Sequence, residues 1–258
     1  MATVHTFSPD NRFSEIVLVG LGGTGSQWAR TLCRIIYDLR RRRQHVPQIR
    51  FIDPDRIEEK NVGRQMFSPS DIGTFKAETL ARRFNLALGL GIIWHNEPFD
   101  ATKHARSYGT LLCGAVDNHA ARIELSKAQN AVWVEAGNHA TAGSVIIGNS
   151  NDKKAVVREI KAGRFHYLPT ATALFPSLLE PEPTSEPQPT SNLSCADLIE
   201  QGTQHLLIND LMGSIAGEYT FKLLNRVPVQ SFMTFVDTDS LSMRSIPITR
   251  DDLLAYLG

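Results

Sequence analysis

The chain has 258 residues, 42% hydrophobic and 21% charged, which suits one extended α/β domain or two small ones. Basic and acidic side chains number 27 each, so no net charge draws the protein to nucleic acid or to an acidic membrane surface. No apolar run approaches the roughly 20 residues that cross a bilayer, and the polar start "MATVHTFSPDNRF" lacks the apolar core of a signal peptide, so one cytoplasmic domain over residues 1–258 is the expectation.

In chain order, "EIVLVG" (15–20) is a short apolar run ending in glycine, and Trp28, Leu32, Ile35, Ile36 and Leu39 follow at helical spacing. With "IRFID" (49–53) as a second strand, the opening is a strand, a helix and a parallel strand. "TFKAETLARRFNLAL" predicts a helix begun by Thr74, "GIIWH" and "TLLCGAV" strands, "HAARIELSKAQN" a helix, and "AVWVEAG" a strand. This alternation predicts an α/β fold, a Rossmann-like and mostly parallel sheet with helices on both faces. Beyond residue 140 the pattern changes. "SVIIG" reads as a strand and "KKAVVREIKAG" as a short helix. Pro176, Pro181, Pro183, Pro187 and Pro189 then exclude regular helix or central strand across 175–194, leaving an extended crossover loop. Residues 195–225 read as helical, with Gly213 and Gly217 allowing close packing, and 229–248 as an antiparallel hairpin turning near Asp237 to Ser240.

The loop "GLGGTG" places Gly20, Gly22, Gly23 and Gly25 between a strand and a helix, where backbone N–H groups can hold a phosphate; a tight turn without a ligand is the plainer alternative. Asp53, ending the second strand, can accept from ribose hydroxyls, and alone it would suggest a dinucleotide dehydrogenase. Asn61, Arg64, Gln65 and Lys76 in the next connection point instead to ATP. Attack on an α-phosphate builds charge on phosphate oxygens that fixed cations stabilise. Arg56 and Lys60 taken singly read as a solvated charged loop. Asp117 lies at the carboxyl end of a strand, where ligands of such sheets bind.

Together "GLGGTG", "IDPDRIEEKNVGRQ", "DIGTFKAETLA", "AVDNHAAR" and "PQPTSNLSCAD", over residues 15–250, resemble the ThiF/MoeB adenylyltransferases and the adenylation domains of ubiquitin-activating (E1-like) enzymes. The compact build and the stretch "QGTQHLLINDLMGS" are similar to minimal bacterial plasmid- or phage-associated members that accompany ubiquitin-like and conjugating-enzyme-like proteins. The resemblance implies that Gly20, Gly22, Gly23 and Gly25 form the ATP phosphate loop and Asp53 binds the ribose. Asn61, Arg64, Gln65 and Lys76 would contact phosphates, with Arg64 serving the other subunit of a homodimer. Asp117 would work with Mg²⁺ and the adenylate. The acceptor implied is the C-terminal glycine carboxylate of a ubiquitin-like or sulfur-carrier protein, whose tail passes under the crossover loop; whether a ubiquitin-conjugating-like enzyme receives the product is left open by the sequence.

Cys195 occupies the position at which some members form a thioester after adenylation, and a thiol at a helix start has its thiolate favoured; in other members the matching cysteine is idle. Cys33 and Cys113 sit in apolar patterns and read as buried small hydrophobes. The chain has no Cys-x-x-Cys pair for a structural zinc, its three cysteines support no disulfide framework, and its eight histidines, His119 and His139 among them, show no ligand spacing. Arg12 is the candidate for a second arginine at the phosphates, and Arg40 to Arg43 complement a helix end rather than read nucleic acid. The competing readings are a sulfur-carrier adenylyltransferase of the thiamine or molybdopterin type, an adenylating enzyme acting on a tRNA base, an NAD-dependent oxidoreductase and an inactive scaffold.

Overall fold

The computed structural model describes residues 2–9, 12–105, 109–181 and 206–258. Cys195, most of the crossover loop and the first part of the long helix expected from residue 195 lie outside the described residues. Eight strands form one sheet in the order β3-β2-β1-β4-β5-β6-β7-β8. β1 (Glu15–Val19), β2 (Gln48–Ile52), β3 (Ile93–His95), β4 (Thr110–Gly114) and β5 (Ala131–Asn138) run parallel. β6 (Ala142–Gly148), β7 (Ser231–Asp237) and β8 (Ser242–Pro247) continue antiparallel. The expected Rossmann-like architecture is therefore present, hairpin included. β1 and β4 are buried along their whole length, which is why both read, after Glu15 and Thr110, as continuous apolar runs rather than alternating ones. From β1 the chain goes to β2 on one side, and later to β4 on the other, so the gap beyond their carboxyl ends is the topological switch point of the sheet.

Helix α1 (Gly23–Arg41) lies on one face beside α2 (Lys76–Leu88) and α7 (Ile208–Leu224). On the other face a smaller core, with Val17, Val19, Ile52, Leu112, Leu125 and Trp133, lies under α3 (Ala101–His104) and α4 (His119–Ser126). α1 and α7 run parallel in close contact. A Cβ on Gly213 would stand 2.9 Å from the Trp28 nitrogen, and one on Gly217 2.4 Å from Thr31 Cγ2. The buried Trp28 indole donates to Thr220 Oγ1 at 3.0 Å, closing the seam. Because the two helices are parallel, both amino ends lie at the carboxyl edge of the sheet.

Several elements differ from expectation. α2 begins at Lys76 rather than Thr74, because the Thr74 hydroxyl is engaged by Asp71 O and Thr79 and Phe75 takes the extended N-cap conformation. α4 stops at Ser126, four residues early, ahead of Asn130 in the left-handed region at φ 56°. α3, α6 (Ala171–Leu174) and the C-terminal α8 (Arg250–Leu257) are unpredicted; α5 (Lys153–Lys161) matches its reading. The start of α8 carries a legible signal, since Thr249 accepts from the Asp252 N–H as its N-cap. Among the described residues no helix is long and apolar enough to cross a membrane.

Candidate active site

The glycine turn is built by crowding. Gly20 has φ +82°, and a Cβ there would stand 2.4 Å from Ala115 O; a Cβ on Gly25 would stand 1.8 Å from Gly20 O. These two glycines therefore let the turn after β1 nest against the loop after β4. Gly22 differs: the nearest atom to its would-be Cβ is Gln65 Nε2 at 3.9 Å, so it faces open space beside that amide. No side chain caps the first turn of α1, and no acidic residue lies in it, which leaves a helix amino end suited to an anion.

Asp53, buried at 4% exposure, follows β2 and is fastened by backbone donors. The Leu21 N–H donates to Oδ2 at 2.5 Å and the Asp55 N–H to Oδ1 at 2.8 Å. Burial pushes its carboxyl up from 3.8 to about 6, against the opposing pull of Lys76 and the Leu21 N–H. Lys76 opens α2 and pairs with Asp55 at 2.8 Å, so its ammonium lies next to the Asp53 turn, with Asp55 as its present partner. Asn61 closes a short 3₁₀ turn, its Oδ1 accepting from the Glu58 N–H at 2.8 Å; that oxygen is thus occupied structurally. Among the described residues Gln65 Oε1 is buried without a partner, while its Nε2 lies against Gly22. Arg64 lines a cleft of about 500 Å³ with Glu58, Glu59, Lys60 and Val62.

Asp117 is exposed, two residues beyond the carbonyl of Ala115 that touches the glycine turn. Asn118 caps α4 through the Ala121 N–H at 2.8 Å and keeps the Asp117 loop at the sheet edge. Asp53, Gln65 and Gly22 thus lie at the glycine turn, Gly20, Gly23 and Gly25 pack it together, and Asp117 follows the Ala115 contact with it, while Asn61, Arg64 and Lys76 lie on the connection after β2. Arg12 does not join them. Its carbonyl lies 3.1 Å from the would-be Cβ of Gly109, at the amino edge of β1 and β4, a strand length from the glycine turn. Cys33 and Cys113 are fully buried and burial pushes both thiols up, which agrees with their reading as small hydrophobes.

Sequence reading passes over a polar group behind the turn. The Thr24 hydroxyl lies 2.9 Å from Asn138 Oδ1 and 3.0 Å from Asn209 Oδ1, and Asn138 Nδ2 donates to Asn209 Oδ1 at 3.3 Å. A Cβ on Gly23 would stand 2.6 Å from the Asn209 amide, so Gly23 is small because α7 brings that side chain against it. At the carboxyl end of β3, His95, Glu97 and His104 gather within 4.8 Å, the spacing of a ligand set. Its chemistry argues otherwise. The Asp100 N–H donates to His104 Nδ1 at 3.0 Å, placing the ring proton on Nε2, which donates to Glu97 Oε1 at 3.1 Å. Lys103 takes both Glu97 oxygens at 2.6 and 2.7 Å, so His104 and Glu97 are tied into a hydrogen-bond network, while among the described residues His95 Nε2 is buried without a partner.

A family model described as the ThiF family matches residues 8–253. Among solved structures, E. coli MccB with ATP aligns with a TM-score of 0.56 and 16% identity, over 92% of this chain and 64% of that one. E. coli MccB with AMPCPP and SeMet MccA gives the same values, as does SeMet PaaA. At such identity these likenesses establish the fold alone, and this chain spans less than two thirds of the length of those proteins. No curated protein matches the sequence.

Proposed function

Because the chain belongs to the ThiF family, we propose that it is an ATP-dependent adenylyltransferase acting on the C-terminal carboxylate of a small protein. The observation that carries this reading is the convergence of a glycine turn, a buried ribose-type acid at Asp53 and an exposed acid at Asp117 on the switch point of a parallel sheet. The structures of MccB with ATP and with AMPCPP and MccA support a nucleotide and a small partner for this fold.

In this reading ATP is the first substrate. Gly20 to Gly25 and the amino end of α1 hold its phosphates, Asp53 accepts from the ribose, and Gln65 Nε2 and Lys76 donate to phosphate oxygens. Asn61 shapes the turn that carries Arg64, and Arg64 adds a cation at the same place or in the partner subunit of a homodimer. Asp117 would hold a Mg²⁺ ion, which would supply positive charge to neutralise the phosphates. The tail carboxylate attacks the α-phosphate, the bond to the β-phosphate oxygen breaks, and pyrophosphate leaves an acyl-adenylate. Each donor aimed at the developing charge contributes about 10²- to 10³-fold to such a step.

The finer part of the reading makes the partner a ubiquitin-like protein ending in glycine, with all of residues 1–258 serving as one adenylation domain in the cytoplasm. The Cys195 thiolate then attacks the acyl carbon and releases AMP, giving a thioester. The test is intact mass without reductant after incubation with ATP, Mg²⁺ and small β-grasp proteins ending in glycine. A thiol-labile adduct that disappears in Cys195→Ala supports the thioester. AMP or a carrier adenylate without an adduct identifies the sulfur-carrier type of enzyme, and NAD binding with no pyrophosphate release overturns adenylation.

A further inference from the structure

The motif "AVDNHAAR" contains an arginine that the adenylation reading leaves without a task. Arg122, in the first turn of α4, reaches back under the loop that carries Asp117: its Nη2 donates to Val116 O at 2.7 Å. Its Nε donates to Glu135 Oε1 at 3.0 Å, and the other Glu135 oxygen accepts from Trp133 Nε1 at 3.1 Å. Both charges are largely hidden, with side chains 15% and 4% exposed.

Stability alone does not account for this pair. Removing two charges from water costs several kcal/mol, and an apolar pair of similar volume is often as stable or more so. The surrounding face is apolar, with Leu112, Leu125 and Trp133. Room is also made for the carboxylate, because a Cβ on Gly114 would stand 2.1 Å from Glu135 Oε2 and 2.8 Å from Trp133 Nε1. Gly114 ends β4 directly before the loop, and that loop is pinned on either side of Val116: Ala115 N–H donates to Val19 O at 2.9 Å, and Asn118 caps α4. The arginine fixes the middle of the loop.

Resting on the adenylation reading, we propose that Glu135, through Arg122, is the positioning residue that holds the 115–118 loop and so sets where Asp117 presents its carboxylate. Ionised Glu135 is the holding form. Burial pushes it from 4.5 up to about 7 against the pull of Arg122. Arg122 is the charged group facing it from α4, while β4 and β6 present Gly114 and Ile146. The hold therefore weakens as pH falls through about 7.

The experiment compares wild type with Glu135→Gln, which keeps size and one acceptor and removes the charge. Amide exchange of residues 115–118 should speed up while β1 and β4 stay protected; unchanged exchange overturns the proposal whatever the activity. Adenylate formation should lose about 10- to 100-fold in kcat, the scale of a small misplacement of a reacting group, with KM for ATP within about two-fold. The acid limb of the kcat profile near neutral pH should vanish in the variant. Wild-type kcat in Glu135→Gln, or a loss confined to KM, overturns positioning of Asp117. If wild type itself turns over no ATP, the adenylation reading fails, and amide exchange still decides whether Glu135 holds the loop.

Discussion

Replacing Asp53 with asparagine separates the folding role of this carboxyl from its role toward a nucleotide. The folded protein raises the carboxyl from 3.8 to about 6 through burial, a difference equivalent to roughly 3 kcal/mol between its two protonation states. The raised value means that the native state holds the proton more tightly than the unfolded chain does. The ionised form is therefore opposed in full above about pH 6, and the opposition is relieved as pH falls towards the unfolded value of 3.8. About half of the effect, roughly 1.5 kcal/mol, falls between pH 8 and pH 5. Urea unfolding of wild type and Asp53→Asn at the two pH values should thus show wild type gaining about 1.5 kcal/mol on the variant at the lower pH. Glu135, also raised by burial, gives a slope of the same sign, so the comparison between the two proteins assigns the effect. Curves that run parallel with pH would refute the argument that Asp53 is destabilised by burial. The asparagine can also turn its NH₂ towards the Leu21 or Asp55 N–H, so ATP affinity should fall by about 10-fold or more, as expected for a lost bond to a charged acceptor.

Two further outcomes follow from the same geometry. Asp117→Ala should cost at least about 100-fold in ATP–pyrophosphate exchange, on the scale of one lost charge-stabilising group. Its unfolding free energy should stay within about 0.5 kcal/mol of wild type because the side chain is exposed; normal exchange in this variant would remove Asp117 from the site. Gly217→Val sets a side chain against Thr31 and should destabilise by about 1–3 kcal/mol. A thermal scan should record a midpoint lower by about 3–10 °C, and an unshifted midpoint would mean that α1 and α7 have room to separate.

The early strands, the glycine turn and the acids at strand ends were legible because each depends on a few neighbouring residues. A short apolar run ending in glycine reads as a buried strand of a covered parallel sheet, and "GLGGTG" after such a run leaves little but a turn into a helix. Gly213 and Gly217 were legible for the same reason, since their spacing marks one helix face. The start of α2 was misplaced because Thr74 looks like a cap, whereas its hydroxyl is taken by Asp71 O. Arg12 was misplaced because nothing in its neighbourhood says which edge of the sheet it joins.

Sequence by itself determined the order of the strands and of the longer helices between them, the α/β class and which residues could reach a strand's carboxyl end, because periodicity and turn chemistry are local. Only tertiary structure decided why Gly20, Gly23, Gly25 and Gly114 must be glycine, since the atoms that crowd them come from Ala115, Asn209, Gly20 and Glu135. It alone joined Thr24 to Asn209 and Arg122 to Glu135, and it alone raised Asp53 and Glu135 through burial. Desolvation and close approach depend on what the rest of the chain packs around a residue, and neighbours in sequence carry no record of that.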